Sequence, residues 1–414
     1  MNAGTEPSPI FRRLQPGAGV GLRAEACLPL RSRYSDCNRC AEACPVGVLH
    51  RNGAQFVLDD GCLGCGRCAA VCPMGALAVP GFSVDTVAAP RAEALAVDCR
   101  RVPAADSPAG AVRVPCLGGL SVSRLLALTL SAENRGLALL DRGWCARCAA
   151  GGGAAHPAQD ALSQARALLR AVGVADADLP ELASRPLSPE AAAPAIPGPE
   201  EEGRLSRRTF LGQLARQATT AVSEALADAP EPLSACAVPA PQRGRQGHAQ
   251  AGRTTPQGAG LRAPQPSLER ARLLAVLDRL AARNGREPPA ALFPAVEMTS
   301  ACRDHELCAR LCPTGALHVY ATEGARGVGF EPARCIACGA CERLCPERAI
   351  RFHPQGRGGR PEDAAALTRH ARRLCAECGV EFSAAGEATL CGACRKSRAL
   401  VKAGYDLRFR AGVE

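Results

Sequence analysis

Cys62-Leu-Gly-Cys65-Gly-Arg-Cys68-Ala-Ala-Val-Cys72-Pro73 is the stretch on which the reading of this chain turns. Its spacing is C-x2-C-x2-C-x3-C-P. Three thiolates at i, i+3 and i+6 wrap one iron–sulfur cluster, the fourth is carried by the next turn toward a second, and the proline ends that turn. The run recurs at Cys335, Cys338, Cys341, Cys345 and Pro346. Two altered copies end in Cys44-Pro45 and Cys312-Pro313. In the first, Cys37, Cys40 and Cys44 keep the last three positions, but Tyr34 stands where the first cysteine belongs and Cys27 lies seven residues earlier. In the second, Cys302, Cys308 and Cys312 are in place and the second position holds His305, beside Asp304.

Between the first two runs, Val48-Leu-His-Arg-Asn-Gly-Ala-Gln-Phe-Val-Leu58 predicts a β-hairpin, because Asn-Gly supplies a tight turn between two short apolar strands. Two cysteine runs joined by such a hairpin resemble a bacterial two-cluster ferredoxin. The resemblance implies that the fourth cysteine of each run crosses over. One [4Fe-4S] cluster would then use Cys62, Cys65, Cys68 and Cys44, and the other Cys37, Cys40, Cys72 and Cys27. A structural zinc module is the competing reading, which the Cys-Pro spacing disfavours.

The second module carries the same expectation, with a cluster on Cys335, Cys338, Cys341 and Cys312. Its neighbour would use Cys302, Cys308 and Cys345. Three readings of position 305 stay open. Loss of that cysteine accompanies a [3Fe-4S] cluster in ferredoxins; His305 ligates the fourth iron and raises the potential, as imidazole does in Rieske centres; or His305 is an unligated surface residue. A helix over 267–284 precedes this module, capped by Ser267, with Leu273, Leu274, Leu277 and Leu280 on its apolar face and Asn284-Gly285 at its end.

Residues 92–175 have a different pattern. Short apolar strands at 92–97, 111–114 and 136–140 alternate with helices at 121–130 and 160–172, with Ser121 and Asp160 as N-caps, which predicts a small α/β unit. Cys99, Cys116, Cys145 and Cys148 follow strands, where a parallel sheet carries its functional loops. The segment Val112-Arg-Val-Pro-Cys116-Leu-Gly-Gly119, with Cys145-Ala-Arg-Cys148 and Gly151 to Gly153, resembles the small delta-type iron–sulfur subunit of hydrogenase–reductase complexes and implies a [2Fe-2S] cluster. Trp144-Cys-Ala-Arg-Cys148 also looks like a thioredoxin dithiol, although three glycines follow where that motif opens a helix. A structural zinc on the same thiolates is the third reading.

Residues 176–265 read as linker, with Pro/Ala/Glu-rich and Pro/Gly/Gln-rich stretches too apolar-poor to fold alone. Within them, Ser206-Arg-Arg-Thr-Phe-Leu-Gly212 resembles a twin-arginine export motif and also the N-terminus of accessory ferredoxins associated with nitrate reductase. It opens an amphipathic helix over 206–227, read either as a docking segment or as a helix packed on a neighbouring domain. Near the C-terminus, Cys375, Cys378, Cys391 and Cys394 form two C-x2-C pairs twelve residues apart. That is a zinc-ribbon-like spacing without the crossed Cys-Pro pattern, so zinc is favoured over a cluster.

The composition agrees with metal-stapled modules. There are 42 glycines, 33 prolines and only 3% aromatic residues, which is poor material for one large core, and 24 cysteines. Five groups of four cysteines and one of three leave only Cys236 unassigned. The first nineteen residues lack an apolar h-region and no run of about 18 apolar residues exists, so a cytoplasmic protein with reduced cysteines is expected and no membrane span. The formal charge of +10 suggests nucleic acid at first sight. Each four-thiolate site, however, adds about −2 once its metal is bound, so five sites bring the loaded protein near neutrality and argue against nucleic acid as a partner.

The expected fold is therefore α+β multidomain: two ferredoxin-like iron–sulfur modules (24–90 and 267–360), a small α/β middle domain (92–175), long linkers, and a small zinc-ribbon-like C-terminus (365–414). Phosphate-loop and H-E-x-x-H motifs are missing from the sequence, so a non-catalytic role is expected. The leading functional expectation is a soluble polyferredoxin-like carrier relaying single electrons to or from a redox enzyme, such as a reductase or dehydrogenase complex. It would hold three to four [4Fe-4S] clusters (one of them [3Fe-4S] on the alternative above), a [2Fe-2S] cluster and zinc. The alternative is a maturation factor that docks on a metalloenzyme and assists cofactor insertion. A metal-dependent nucleic-acid sensor is a third, weaker reading.

Overall fold

The structure, a computed structural model, describes residues 12–14, 19–32, 34–52, 55–82, 94–133, 135–153, 155–193, 195–196, 263–356, 365–384 and 387–409. The chain divides into one compact unit, Met1–Ile196 with Leu261–Glu414, and a second, Pro197–Gly260. The expected helix over 206–227 and Cys236 lie outside the described residues. Helices and sheets are mixed throughout, so the α+β expectation holds at that level.

The two cysteine-rich modules repeat one plan. In the first, the expected hairpin forms from Leu49–Asn52 and Gln55–Leu58, with Leu49 opposite Leu58 and Asn52 opposite Gln55. The strands Gly21–Leu22 and Leu77–Ala78 pair antiparallel and tie the ends of the module together. In the second, the hairpin is Leu317–Thr322 with Ala325–Phe330, and Ala295–Met298 pairs with Ile350–His353. Each C-x3-C-P segment carries a helix of about one turn: Arg39–Glu42, Arg67–Ala70, Leu307–Arg310 and Ala340–Leu344. The proline after each last cysteine stops these helices, because its ring cannot continue the hydrogen-bond ladder.

The middle segment folds around a four-stranded parallel sheet in the order Val112–Val114, Leu95–Cys99, Leu137–Asp141, Glu181–Ser184. Its outer strand lies in the segment from 176 expected as linker; four residues without alternation gave no strand signal. Helix Val122–Ala132 is capped by Ser121, whose hydroxyl accepts the amide of Arg124. Helix Gln159–Ala171 starts earlier than expected, with Ala158 as N-cap, and Asp160 lies in its first turn, where a carboxylate favours the helix dipole. Leu125, Leu126, Leu128, Leu139 and Leu169 are fully buried between helices and sheet, each contributing about 2 kcal/mol of burial.

Helix Leu268–Arg283 is found with its Ser267 cap. The Ser267 hydroxyl accepts the Arg270 amide at 2.9 Å and donates to the Pro73 carbonyl at 2.6 Å. Leu277 and Leu280 join the core that holds Val20, Cys40 and Met74 of the first module and Leu126 of the middle segment. This helix thus welds the first module to the middle sheet. The C-terminal segment is likewise continuous with the second module: His370–Leu374 pairs with Ala325–Phe330 (Arg326 opposite His370) and with Glu381–Ala384, giving one five-stranded antiparallel sheet.

Candidate metal centres

The nineteen cysteines assigned above to ferredoxin-like and middle-segment sites gather into the expected groups. Cys44, Cys62, Cys65 and Cys68 line a cavity of about 390 Å³ with Val48, Leu49 and Leu58. Cys27, Cys37, Cys40 and Cys72 line one of about 380 Å³ with Phe56 and Met74. Cys312, Cys335, Cys338 and Cys341 line one of about 410 Å³, with Cys308 at its edge. Each of these spaces is walled by the thiols of one expected group and by apolar side chains. Cys27 reaches its group as the N-cap of Leu28–Arg31 and is buried, whereas Tyr34 is exposed.

Local backbone makes these cavities. In the intact runs the residues two and four beyond the first cysteine are left-handed: Gly64 and Gly66, then Ala337 and Gly339. This curls the chain so that successive amides face inward. The amide of Ala337 donates to Cys335 and that of Ala340 to Cys338. After the last cysteine, the amide of Ala76 donates to Cys72 Sγ at 3.2 Å and that of Ala349 to Cys345 Sγ at 3.3 Å. Amides aimed at sulfur stabilise thiolate charge.

Burial dominates the thiols otherwise. It pushes Cys27, Cys68 and Cys341 up to about 12, with neighbouring thiolates adding to the effect. Cys40 and Cys335 are raised to about 11 for the same first reason. Such groups ionise at neutral pH only against a cation, so metal entry must displace protons.

Cys302 feels the charge of Cys345, Cys308 feels that of both, and burial raises Cys308 to about 12. Their loop keeps the same curl, with Asp304 and Glu306 left-handed and the Asp304 amide donating to Cys302. His305 stands at the second-cysteine position, but its ring is nearly half exposed and its Nε2 lies 3.8 Å from Glu347 Oε1. Burial works against ionisation of Glu306, yet the guanidinium groups of Arg326 and Arg310 outweigh it and hold its carboxyl below the ordinary range. Glu306 thereby pins the loop to the hairpin.

Cys99, Cys116, Cys145 and Cys148 converge at the C-terminal edge of the parallel sheet. Burial raises Cys99 to about 11 and Cys145 to about 12. Cys145 opens a three-residue 3-10 turn, Cys145–Arg147, rather than the helix of a thioredoxin dithiol. Three neighbours gave no sequence signal. Arg101 Nη1 donates to Cys148 Sγ at 3.0 Å, and ligand atoms of Asp141 and His156 lie within 4.8 Å of each other and of Cys145 Sγ. The group abuts the first module. Cys65, Cys116 and Ala150 form one buried cluster, and Arg67 Nη1 reaches the Gly151 carbonyl at 2.7 Å.

The C-terminal group is tighter. The sulfurs of Cys375, Cys378, Cys391 and Cys394 all lie within 4.8 Å of one another, with Cys378 and Cys391 3.7 Å apart. A tetrahedral ion with ~2.3 Å bonds to sulfur holds its ligands about 3.8 Å apart, so this group fits a single ion. No other three cysteines among the described residues come so close together, as befits cages for something larger. Amides of Cys391 and Cys378 hold the Cys375 thiol down at about 6.

Residues 34–81 match the family described as LdpA Fe-S cluster-binding domain, and residues 328–351 match the family described as 4Fe-4S binding domain. No curated protein matches the chain. The two matches support ferredoxin-like iron–sulfur modules, and the chain is an iron–sulfur-binding protein. The first match begins at Tyr34 and leaves out Cys27; the second covers Cys335 to Cys345 and leaves out Cys302 to Cys312. Among the described residues, no helix is long and apolar enough to cross a membrane.

Proposed function

We propose that this protein is a multi-cluster electron carrier that relays single electrons to or from a partner redox enzyme. An iron–sulfur cluster bound in these cages supplies reversible one-electron chemistry, and the chain's own residues fix the order of the cages. The observation that carries the reading is the packing of Cys65 against Cys116, which sets the middle group beside the first cage. Electron tunnelling falls steeply with distance, so adjoining ligands make a path.

The other groups continue the line. Cys68 feels the charge of Cys40, so the two cages of the first module adjoin. A cleft of about 710 Å³ lined by Cys37 and Cys338 separates the modules, bridged by Asp36 and Arg343 at 3.7 Å. Cys308 borders the cavity of Cys312, Cys335, Cys338 and Cys341. The order is middle group, Cys44/62/65/68, Cys27/37/40/72, Cys312/335/338/341, and Cys302/308/345. On this reading the middle group holds a [2Fe-2S] cluster and the C-terminal group holds zinc.

The cages are built into the core: Cys27 and Cys40 are packed with Val20, Leu77 and Leu95. Clusters so placed suit resident redox centres better than cargo awaiting transfer, which favours a carrier over a maturation factor. Anaerobic iron and sulfide analysis with EPR of the reduced chain tests the reading. Fewer than about eight irons per chain would overturn it, since the two intact runs alone require that many.

A further inference from the structure

The loop from Cys302 to Cys308 combines the backbone curl of an intact cluster loop with a missing thiolate. Its left-handed residues, Asp304 and Glu306, match Ala337 and Gly339 of the intact loop. Neither is a glycine, so the loop tolerates backbone strain to keep the curl. Cys302 receives the amide of Asp304 as Cys335 receives that of Ala337. What the loop lacks is a sulfur at position 305.

Two side chains stand at or beside that position. His305 turns outward: it is nearly half exposed and lies near Glu347. Asp304 does the opposite. Both of its carboxylate oxygens are buried with no hydrogen-bond partner. They lie close enough to Cys302 for their charge to act on its thiol. Arg326 also feels this charge, but its guanidinium donates to Glu306. A buried carboxylate without a donor is costly, and so is an iron without a fourth ligand. One bond between them removes both defects.

We propose that Asp304 supplies an oxygen ligand to the fourth iron of a cluster held by Cys302, Cys308 and Cys345, with His305 outside the coordination shell. The proposal rests on the iron–sulfur reading above. Carboxylate oxygens are established ligands of ferrous iron. An oxygen-held iron among three thiolate-held irons is the exchangeable one. An excess of a strong one-electron oxidant such as ferricyanide releases it as a ferrous ion and leaves a three-iron core, which regains it by accepting one electron and then one ferrous ion; brief, mild oxidation leaves it in place.

The test uses the full chain, reconstituted anaerobically with ferrous iron, sulfide and dithionite, then gel-filtered. Iron is counted, and EPR is recorded after mild oxidation, where intact four-iron clusters are silent and a three-iron core is not. Wild type and His305→Ala should show no three-iron signal. Asp304→Ala and the isosteric Asp304→Asn should show it stoichiometrically, with one iron fewer per chain. The double variant D304A/H305C, which restores a thiolate at the second position, should lose the signal again. A three-iron signal in H305A, or its absence in both Asp304 variants, would overturn the assignment. Loss of iron from every site in both Asp304 variants would make the carboxylate a folding residue and overturn it as well. A wild-type chain that binds no iron at all would refute the relay reading itself, a result distinct from these.

Discussion

The guanidinium of Arg101 donates to the sulfur of Cys148 at 3.0 Å, while its Nε holds the carbonyl of Ala193 at 2.7 Å. A cationic donor on a ligand sulfur stabilises the more negative, reduced state of whatever that sulfur binds. Arg101→Gln should therefore lower the potential of the middle group. A charge-assisted hydrogen bond is worth about 1.5–3 kcal/mol, and if half of this differs between redox states the shift is roughly 30–65 mV. Potentiometric titration followed by EPR reads it directly; an unchanged potential would mean that Arg101 only holds the Ala193 carbonyl.

Gly119 marks the seam between the middle group and the first module. A Cβ there would lie 2.4 Å from the carbonyl oxygen of Cys65 and 2.2 Å from Cζ of Phe82. The first is backbone and cannot swing aside. Gly119→Ala should cost about 1–3 kcal/mol through overpacking. It should also slow electron exchange between the middle group and the first cage while leaving both loaded. Thermal unfolding checks the first effect, and stopped-flow reduction monitored at both centres checks the second.

Cys27 and Tyr34 compete for the first ligand position of the altered run, and only Cys27 lies with Cys37, Cys40 and Cys72. Cys27→Ser should remove up to about four irons per chain or leave a labile cluster. Tyr34→Phe should change neither iron content nor spectrum. Iron and sulfide analysis of the two purified variants decides it, and loss of iron in Tyr34→Phe alone would reverse the assignment.

These groups were legible in the sequence because ligand spacing is local. A C-x2-C-x2-C loop dictates its own curl, and the following proline fixes where the helix stops. Even the candidacy of Cys27 was readable, since it is the nearest upstream cysteine, and the structure places it with Cys37, Cys40 and Cys72. The parallel sheet was legible through three apolar strands, but Glu181–Ser184 was not, because a short outer strand is defined by its pairing with Leu137–Asp141. Long-range pairing also hid the junction of the second module with the C-terminal segment, where Arg326 faces His370. Arg101, Asp141 and His156 were invisible for the same reason: ordinary residue types that acquire meaning only where loops converge. Asp304 was in view beside His305, but its burial was not.

Asp98 anchors the loop that presents Cys99. It is fully buried, takes Arg142 Nη2 at 2.5 Å and the Ser107 hydroxyl at 3.0 Å, and accepts the amide of Cys99 at 2.9 Å. Asp98→Ala leaves the Arg142 guanidinium buried and uncompensated, which should cost about 3–5 kcal/mol. The middle group should then load poorly while the ferredoxin-like cages keep their iron. Replacing both partners, D98L with R142M, should recover much of the stability without restoring the Cys99 geometry. Denaturant unfolding and iron analysis of the single and double variants separate the two roles.

The C-terminal group offers the cleanest separation of metals. Its sulfurs sit at single-ion spacing and those of the other groups do not. Cys391→Ser should abolish one zinc per chain and leave iron and sulfide unchanged. Structural zinc sites in small peptides contribute on the order of 10 kcal/mol, so the segment from Glu381 onward should lose its protection when the ion goes. The strand His370–Leu374 should loosen only partly, because Ala371 also pairs with Ala325 of the second module. Hydrogen exchange along 365–409, before and after a zinc chelator, measures both effects. If iron leaves and zinc stays, the two kinds of site have been assigned the wrong way round.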